Sequence, residues 1–400
     1  MKRIYLAAYH QSKFGKLMKM TVPEIVSNAI GGACKMIEAS PAVVDVGSIG
    51  SACNFSLNEQ GLLAGLMAMV PGMESKPLEA VENACASGGQ AVLSVIQKLQ
   101  LGMGDVGIAV GYEKMRDDEG KMDGKLIGKV LGYFSFPGER EGKTFVFPHI
   151  FAEVMQEYMK AHGVTEEALA QIAVQEYANA KYNPCAQMNK VQITLEQAMK
   201  IEGINRYVVE GLPLNTYDGS QITDGYAAVI VATEEGLHKL GRKKNECVEI
   251  AGWAQATDPL RKEGRDVLRP AGAYRAMNRA YEMAGTTPAE VNVAEVHDCF
   301  TVMGAIATEV IGKAEPGRGA AYWCDGKAAP GGECGINTSG GLIAKGHPVG
   351  ATGVAMIGWA AMQLLHRVPE ELQVKDARAA ATFNIGGPIC ASVCTVLKPA

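Results

Sequence analysis

A chain of 400 residues, 48% apolar and with 47 glycines, is too long for one ordinary core and too apolar for disorder; it suits two domains, or one large layered α/β unit with an insertion. The net charge of −5 leaves no basic footprint for nucleic acid or an anionic membrane, so a phosphate-bearing ligand must be met by local cations. Ten cysteines, thinly spread and without any C-x-x-C, point to reduced thiols rather than a disulfide scaffold or a structural metal. Met1–Leu6 opens no apolar run of signal-peptide length, no stretch is long enough to span a bilayer, and Leu397-Lys398-Pro399-Ala400 carries no peroxisomal or lipidation motif. A cytoplasmic protein is expected.

In chain order, the spacing predicts a strand over 3–9, a helix over 22–37 opened by Thr21 with Pro23 just inside, and a strand over 44–49. Residues 61–70, apolar on nearly all sides, read as a buried helix stopped by Pro71-Gly72. A strand over 78–82, then Cys85, a helix over 87–101 and a strand over 106–110 complete a β-α-β-α alternation typical of a layered α/β domain. From Asp117 to Glu210 the character changes: charged and glycine-rich stretches surround the aromatics Tyr133, Phe134, Phe136, Phe145, Phe147 and Phe151, and amphipathic helices such as 165–182 follow. This segment is either an insertion with a small core of its own or a lid over a substrate tunnel. A strand over 226–232 resumes the alternation, and an apolar strand over 291–296 and a helix over 301–311 come later.

A weak internal repeat links the two ends of the chain. Cys85 precedes Gly88-Gly89, an apolar helix and a strand; His347 precedes Gly350-Ala351-Thr352-Gly353, an apolar helix over 354–365, a strand over 379–383 and, after Gly386-Gly387, a strand over 389–397. Each half therefore presents one reactive residue at a strand-to-helix turn, and the symmetry predicts that Cys85 and His347 face each other across a pseudo-twofold axis. On the second copy's last strand, Cys390 and Cys394 are expected to share a face.

Cys85, at the mouth of a long helix, is the candidate nucleophile, with helix-terminal N–H groups expected to favour its thiolate. A buried structural cysteine is the competing reading. His347, framed by glycines and fixed by Pro348, suits a general base. His297-Asp298-Cys299-Phe300 lies at a strand end, where layered sheets place ligands; His297 and Cys299 there suggest a polarising donor beside a proton shuttle, with H-x-C metal ligation a weak rival.

Together, Val81-Glu82-Asn83-Ala84-Cys85-Ala86-Ser87-Gly88, His297-Asp298-Cys299-Phe300 and Gly346-His347-Pro348-Val349-Gly350-Ala351-Thr352-Gly353 resemble the thiolase superfamily, in its sterol-carrier-protein-2-like and archaeal acetoacetyl-CoA branch. The resemblance spans essentially the whole chain. It implies a layered αβαβα fold from two similar halves, 1–116 with 217–245 and 246–400, around a loop or lid insertion at 117–216. It implies CoA-dependent cleavage of a 3-oxoacyl-CoA, or the reverse Claisen condensation, through an acyl-Cys85 intermediate, with coenzyme A as co-substrate and no permanently bound cofactor or metal. Cys85 matches the nucleophile, His347 its base, His297 a donor to the thioester oxygen, and the backbone N–H groups of Cys85 and Gly386 an oxyanion hole. Asn384 stands where many relatives carry the second acid/base cysteine, and Cys299 is the implied substitute. Ser220 falls in the segment that resembles a pantetheine-binding loop. Acetoacetyl-CoA is the default substrate; the aromatic-rich insertion with Lys121, Lys125, Lys129 and Arg140 leaves room for a larger or acid-bearing ester such as benzoylsuccinyl-CoA, a solvated face being the favoured reading of those cations. A homodimer or homotetramer is implied, as is a small zinc-ribbon/OB-fold partner. The rival readings are a ketoacyl or hydroxymethylglutaryl-CoA synthase, a cysteine hydrolase, and a non-catalytic acyl-CoA-binding scaffold.

Overall fold

The computed structural model describes all of residues 1–400. Ten strands are present: β1 Tyr5–Gln11, β2 Val46–Gly50, β3 Leu78–Val81, β4 Val106–Glu113, β5 Gly225–Ala232, β6 Val248–Thr257, β7 Val293–Val296, β8 Gly335–Ile336, β9 Ala380–Gly386 and β10 Ala391–Pro399. They form one sheet in the order β3-β2-β4-β5-β1-β6-β10-β9-β7-β8. Read outward from its middle, each half has the same topology: first strand, fifth, fourth, second, third. The two halves meet where β1 runs antiparallel to β6, with Tyr5 opposite Glu249. The repeat sensed at Cys85 and His347 is therefore a duplication of the whole half.

The principal helices are α1 Val22–Lys35, α2 Ser87–Gln100, α3 Gly124–Gly132, α4 Val146–His162, α5 Glu166–Ala180, α6 Ala271–Ala284, α7 Thr301–Val310 and α8 Val349–Leu364. The equivalent helices α2 and α8 lie between the two halves of the sheet. Their Val92, Val95, Ile96, Val354 and Ile357 share one core with Val46, Ala109 and Val229 of the first half and with Val293, Ala380 and Leu397 of the second. Helix α1 covers the outer face of the first half, while α6, α7 and α4 cover that of the second. The result is the expected αβαβα layering.

Glycines let the two central helices touch at their N-terminal ends. A methyl group on Gly88 would lie 2.4 Å from the Gly350 carbonyl oxygen, and one on Gly353 would lie 2.2 Å from the Gly89 nitrogen. Since real side chains do not tolerate such distances, the glycines flanking Cys85 and His347 permit backbone contact rather than merely flexible turns.

Several local expectations shift. Gly350–Gly353 is the first turn of α8, which starts directly after Pro348, because a proline before the first helical turn loses no hydrogen bond. Residues 61–70 yield only a short helix, Leu63–Ala68, with Leu62 and Met69 exposed at its ends. Cys390 precedes β10 and so shares no strand face with Cys394. The half-buried alternation of β6 and the amphipathic α6 account for residues 248–257 and 271–284, which the spacing left unassigned. No helix is long and apolar enough to cross a membrane.

Candidate active site

Cys85 sits on a sharp connection between β3 and α2. Ala84 has φ +48°, a left-handed conformation that an alanine adopts only under constraint. Ser87 supplies that constraint: its hydroxyl accepts from the Asn83 N–H at 2.8 Å and donates to the Ala84 carbonyl at 2.6 Å. The turn projects Cys85 into a cavity of about 300 Å³ that is also lined by His297, Cys299, His347, Ser220 and Gly387. The sulfur of Cys85 and one ring nitrogen of each of His297 and His347 lie within 4.8 Å of one another.

The partners of the two histidines assign them opposite tautomers. The Thr352 hydroxyl has its proton engaged with the Pro348 carbonyl at 3.1 Å, so at 2.6 Å from His347 Nδ1 it accepts, and Nε2 of His347 is left bare. Asn384 turns its amino group towards the Cys85 carbonyl, at 3.1 Å, because a carbonyl can only accept. Its second N–H then meets Nδ1 of His297 at 3.0 Å, so that Nδ1 accepts and Nε2 carries the proton. One ring is a base and its neighbour is a donor. A metal ion on Nε2 of His297 would force a proton onto Nδ1, against the Asn384 amino group. The arrangement therefore suits proton transfer better than metal ligation.

Burial and the charge of Glu113 push the Cys85 thiol up to about 12, against the lowering effect of N–H groups from Gly387 and from Cys85 itself. Burial, reinforced by Lys345, takes His347 down to about 3. Burial also lowers His297 well below the ordinary histidine range, with His347 contributing. Cys299 is raised by burial, then by Cys85 and Asp298. The resting site is a neutral thiol beside neutral imidazoles, and the expectation of a thiolate favoured by the helix terminus is corrected: desolvation outweighs the N–H groups.

The N–H of Gly387, one residue beyond the Gly386 that the resemblance implies, is among the groups that lower the Cys85 thiol. Gly386 ends β9 and packs so closely on the Cys85 turn that a methyl group there would lie 2.2 Å from the Asn83 oxygen. Ser220 pairs its N–H with the Cys299 carbonyl at 3.0 Å, which aligns the Gly219–Ile222 wall of the cavity beside Cys299. Phe134, Phe145, Phe147 and Phe151 of the 117–216 segment line the cavity, whereas Tyr133 is exposed and Phe136 lies under the guanidinium of Arg261. None of the lining residues is a lysine, arginine, aspartate or glutamate. Lys121, Lys125 and Lys129 are exposed instead, and Arg140 lies over the Tyr133 ring at 5.5 Å.

Two buried carboxylates brace the site, and sequence reading missed both. Glu113, at the end of β4, accepts from Ser51 Oγ at 2.8 Å and, at 3.0 Å each, from the N–H groups of Ala52, Cys53 and Gly350. It clamps the first half to the helix start that carries His347. Asp298 accepts from the N–H groups of Leu342 and Ile343, tying the His297–Cys299 strand end to the loop before His347. A glutamate ending an apolar strand was the available signal for Glu113. Asp298 was visible inside its motif but without a role.

Comparison with known proteins agrees over the whole chain. Residues 5–235 match the model of the thiolase N-terminal domain, and residues 254–399 match a thiolase C-terminal domain-like model. An acetyl-CoA acetyltransferase of Methanothermobacter thermautotrophicus is 32% identical over 389 residues, covering 97% of each chain. The benzoylsuccinyl-CoA thiolase subunit BbsB of Thauera aromatica is 29% identical, covering 96% of this chain and 95% of its own. Among solved structures, an Ltp2-ChsH2(DUF35) aldolase superposes with a TM-score of 0.81 at 20% identity over 99% of this chain and 98% of its own. Human mitochondrial 3-ketoacyl-CoA thiolase superposes with a TM-score of 0.74 at 18% identity over 100% and 99%. This chain belongs to the thiolase family and is an acyltransferase of that family.

Proposed function

We propose that this protein cleaves a neutral 3-oxoacyl-CoA with coenzyme A, or runs the reverse condensation, through an acyl group carried on Cys85. The observation that carries the reading is the pairing of a base tautomer on His347 with a donor tautomer on His297, both around the Cys85 sulfur. As the sulfur attacks the ketone carbon, Nε2 of His347 takes the thiol proton, so a free thiolate is never needed. The oxyanion is met by the N–H groups of Cys85 and Gly387, each such donor typically contributing about 3 kcal/mol. Collapse breaks the carbon–carbon bond, leaving the acyl group on sulfur and an acetyl-CoA enolate whose oxygen accepts from Nε2–H of His297. The Cys299 thiol protonates the enolate carbon. The Cys299 thiolate then deprotonates incoming coenzyme A, whose sulfur takes the acyl group; Cys85 leaves and recovers its proton from His347.

The acyl pocket favours bulk without charge. About 300 Å³ walled by Ile127, Leu131, Phe134, Phe147 and Phe151 is more than an acetoacetyl group fills, and the absence of a lining cation argues against an acid-bearing acyl group. Dependence on a second protein belongs to the same reading, since one relative is named as a subunit and one solved structure is of a two-protein assembly.

Mass spectrometry after incubation with a panel of 3-oxoacyl-CoA esters, with and without co-expressed neighbouring proteins, tests the proposal. The wild type acquires an acyl adduct on the Cys85 peptide, Cys85→Ala acquires none, and Cys299→Ala is acylated but no longer exchanges the enolate proton. An adduct of equal yield in Cys85→Ala would refute the assignment.

A further inference from the structure

Gly387 lines the cavity with Cys85 and its N–H lowers the thiol, and the turn that contains it sets that N–H's direction. The Gly386 carbonyl accepts from the Cys390 N–H at 3.1 Å, and in a trans peptide the N–H on the far side of that bond points the opposite way, into the cavity. The turn Gly387-Pro388-Ile389-Cys390 is not one the chain adopts freely. Gly387 has φ +64° and Ile389 has φ +56°, a conformation that a β-branched residue resists by about 1–3 kcal/mol. Its short internal bond, from the Ile389 N–H to the Gly387 carbonyl at 2.8 Å, leaves the Pro388 and Ile389 carbonyls pointing outward.

A single side chain from outside β9 and β10 takes both carbonyls. Arg265, half-buried in the irregular stretch between β6 and α6, donates through Nη2 to the Pro388 oxygen at 2.8 Å and through Nη1 to the Ile389 oxygen at 2.9 Å. Its Nε donates to the Arg261 carbonyl at 2.8 Å, so all three guanidinium nitrogens are committed to backbone. The Arg265 stretch is itself anchored at both ends. The Asp258 N–H donates to the Cys390 carbonyl at 2.9 Å and its carboxylate accepts from Gly272 at the start of α6, while the Lys262 ammonium donates to Glu153 of α4 at 2.7 Å. A planar fork held in this way matches two adjacent carbonyls, which a lysine ammonium cannot do.

We propose that Arg265 is a positioning residue for acyl transfer: its fork holds the Gly387–Ile389 turn in the strained form that aims the Gly387 N–H at Cys85. The proposal rests on the acyl-Cys85 reading above. Arg265 itself stays out of the cavity and touches no reacting atom.

Two variants of the full chain test it, Arg265→Met and Arg265→Lys, each with two readouts. For the ester that the wild type cleaves, Arg265→Met is expected to lower kcat by about 10- to 100-fold with KM changed by no more than about 2-fold, since a misaimed oxyanion donor weakens the transition state alone. Alkylation of Cys85 by iodoacetamide, read by mass spectrometry on its own peptide, is expected to move to higher pH as the sulfur loses an N–H. Arg265→Lys keeps the charge and can hold one carbonyl, so it should fall between the two and serves where Arg265→Met lowers the melting temperature. Wild-type kcat with an unshifted alkylation profile in Arg265→Met, full activity in Arg265→Lys, or a rise in KM alone would each overturn the proposal. If the wild type turned over no CoA ester, the thiolase-type reading would fail, while the alkylation comparison would still decide the role of Arg265.

Discussion

His297 and His347 meet edge to face, ring centroids 5.0 Å apart and planes at 89°, with Asn384 and Thr352 setting opposite tautomers behind them. Two rings of one residue type carry their protons on opposite nitrogens because the group behind each is a donor in one case and an acceptor in the other.

Replacing Asn384 by Asp should reverse the His297 tautomer. A carboxylate can only accept, so it draws the proton to Nδ1 and faces the Cys85 carbonyl with a second acceptor. The expected outcome is a drop in kcat of about 100-fold with KM nearly unchanged, measured by steady-state thiolysis.

Thr352→Val removes the acceptor for Nδ1–H of His347 without changing the side-chain volume. The imidazole then has no partner for its proton, and either tautomer can form. Rapid-mixing measurement of Cys85 acylation should give a rate lower by about tenfold, while the melting temperature reports the loss of the hydroxyl's bond to Pro348 together with the unpaired His347 Nδ1–H, about 1–3 kcal/mol.

Glu113 links stability to the reactivity of Cys85. Burial raises its carboxyl from 4.5 to about 6, despite donors from Ala52, Ser51, Cys53 and Gly350. Because the folded value is the higher one, its contribution to stability is fully present below pH 4.5 and is lost as pH rises through 6. That loss amounts to about 2 kcal/mol. Glu113→Gln removes this titration, so urea unfolding should show the wild type losing about 2 kcal/mol relative to the variant between pH 4 and pH 7. The same substitution removes a charge that raises the Cys85 thiol, so alkylation of Cys85 should shift to lower pH. A shift upward would contradict the electrostatic account.

Leu131→Trp should sort substrates by size. Leu131 lines the acyl cavity from α3, and a larger ring there fills space that a short acyl chain does not use. The ratio kcat/KM is expected to fall at least about tenfold for a bulky 3-oxoacyl-CoA and to stay within about threefold for acetoacetyl-CoA.

Much of this molecule is written locally. Thr21, Pro23 and Glu24 start α1 through a capping box, the run Val229-Ile230-Val231 marks β5, and the matching glycine patterns after Cys85 and His347 announce a duplicated half. These signals are legible because they act over a few residues, through propensity, capping and the alternation of side chains. The residues that meet around the cavity could be picked out for the same reason: Cys85, His297, Cys299 and His347 each stand at a strand end or helix start within a distinctive short motif. What only the tertiary structure decided depends on groups far apart in sequence. The neutral resting charge of Cys85 follows from burial and from Glu113, and the tautomer of His297 comes from Asn384, 87 residues away. The turn that follows Gly386 is closed by Arg265, 123 residues from Pro388. Desolvation and hydrogen-bond direction are properties of an assembled interior, and no stretch of chain carries them before the halves close on one another.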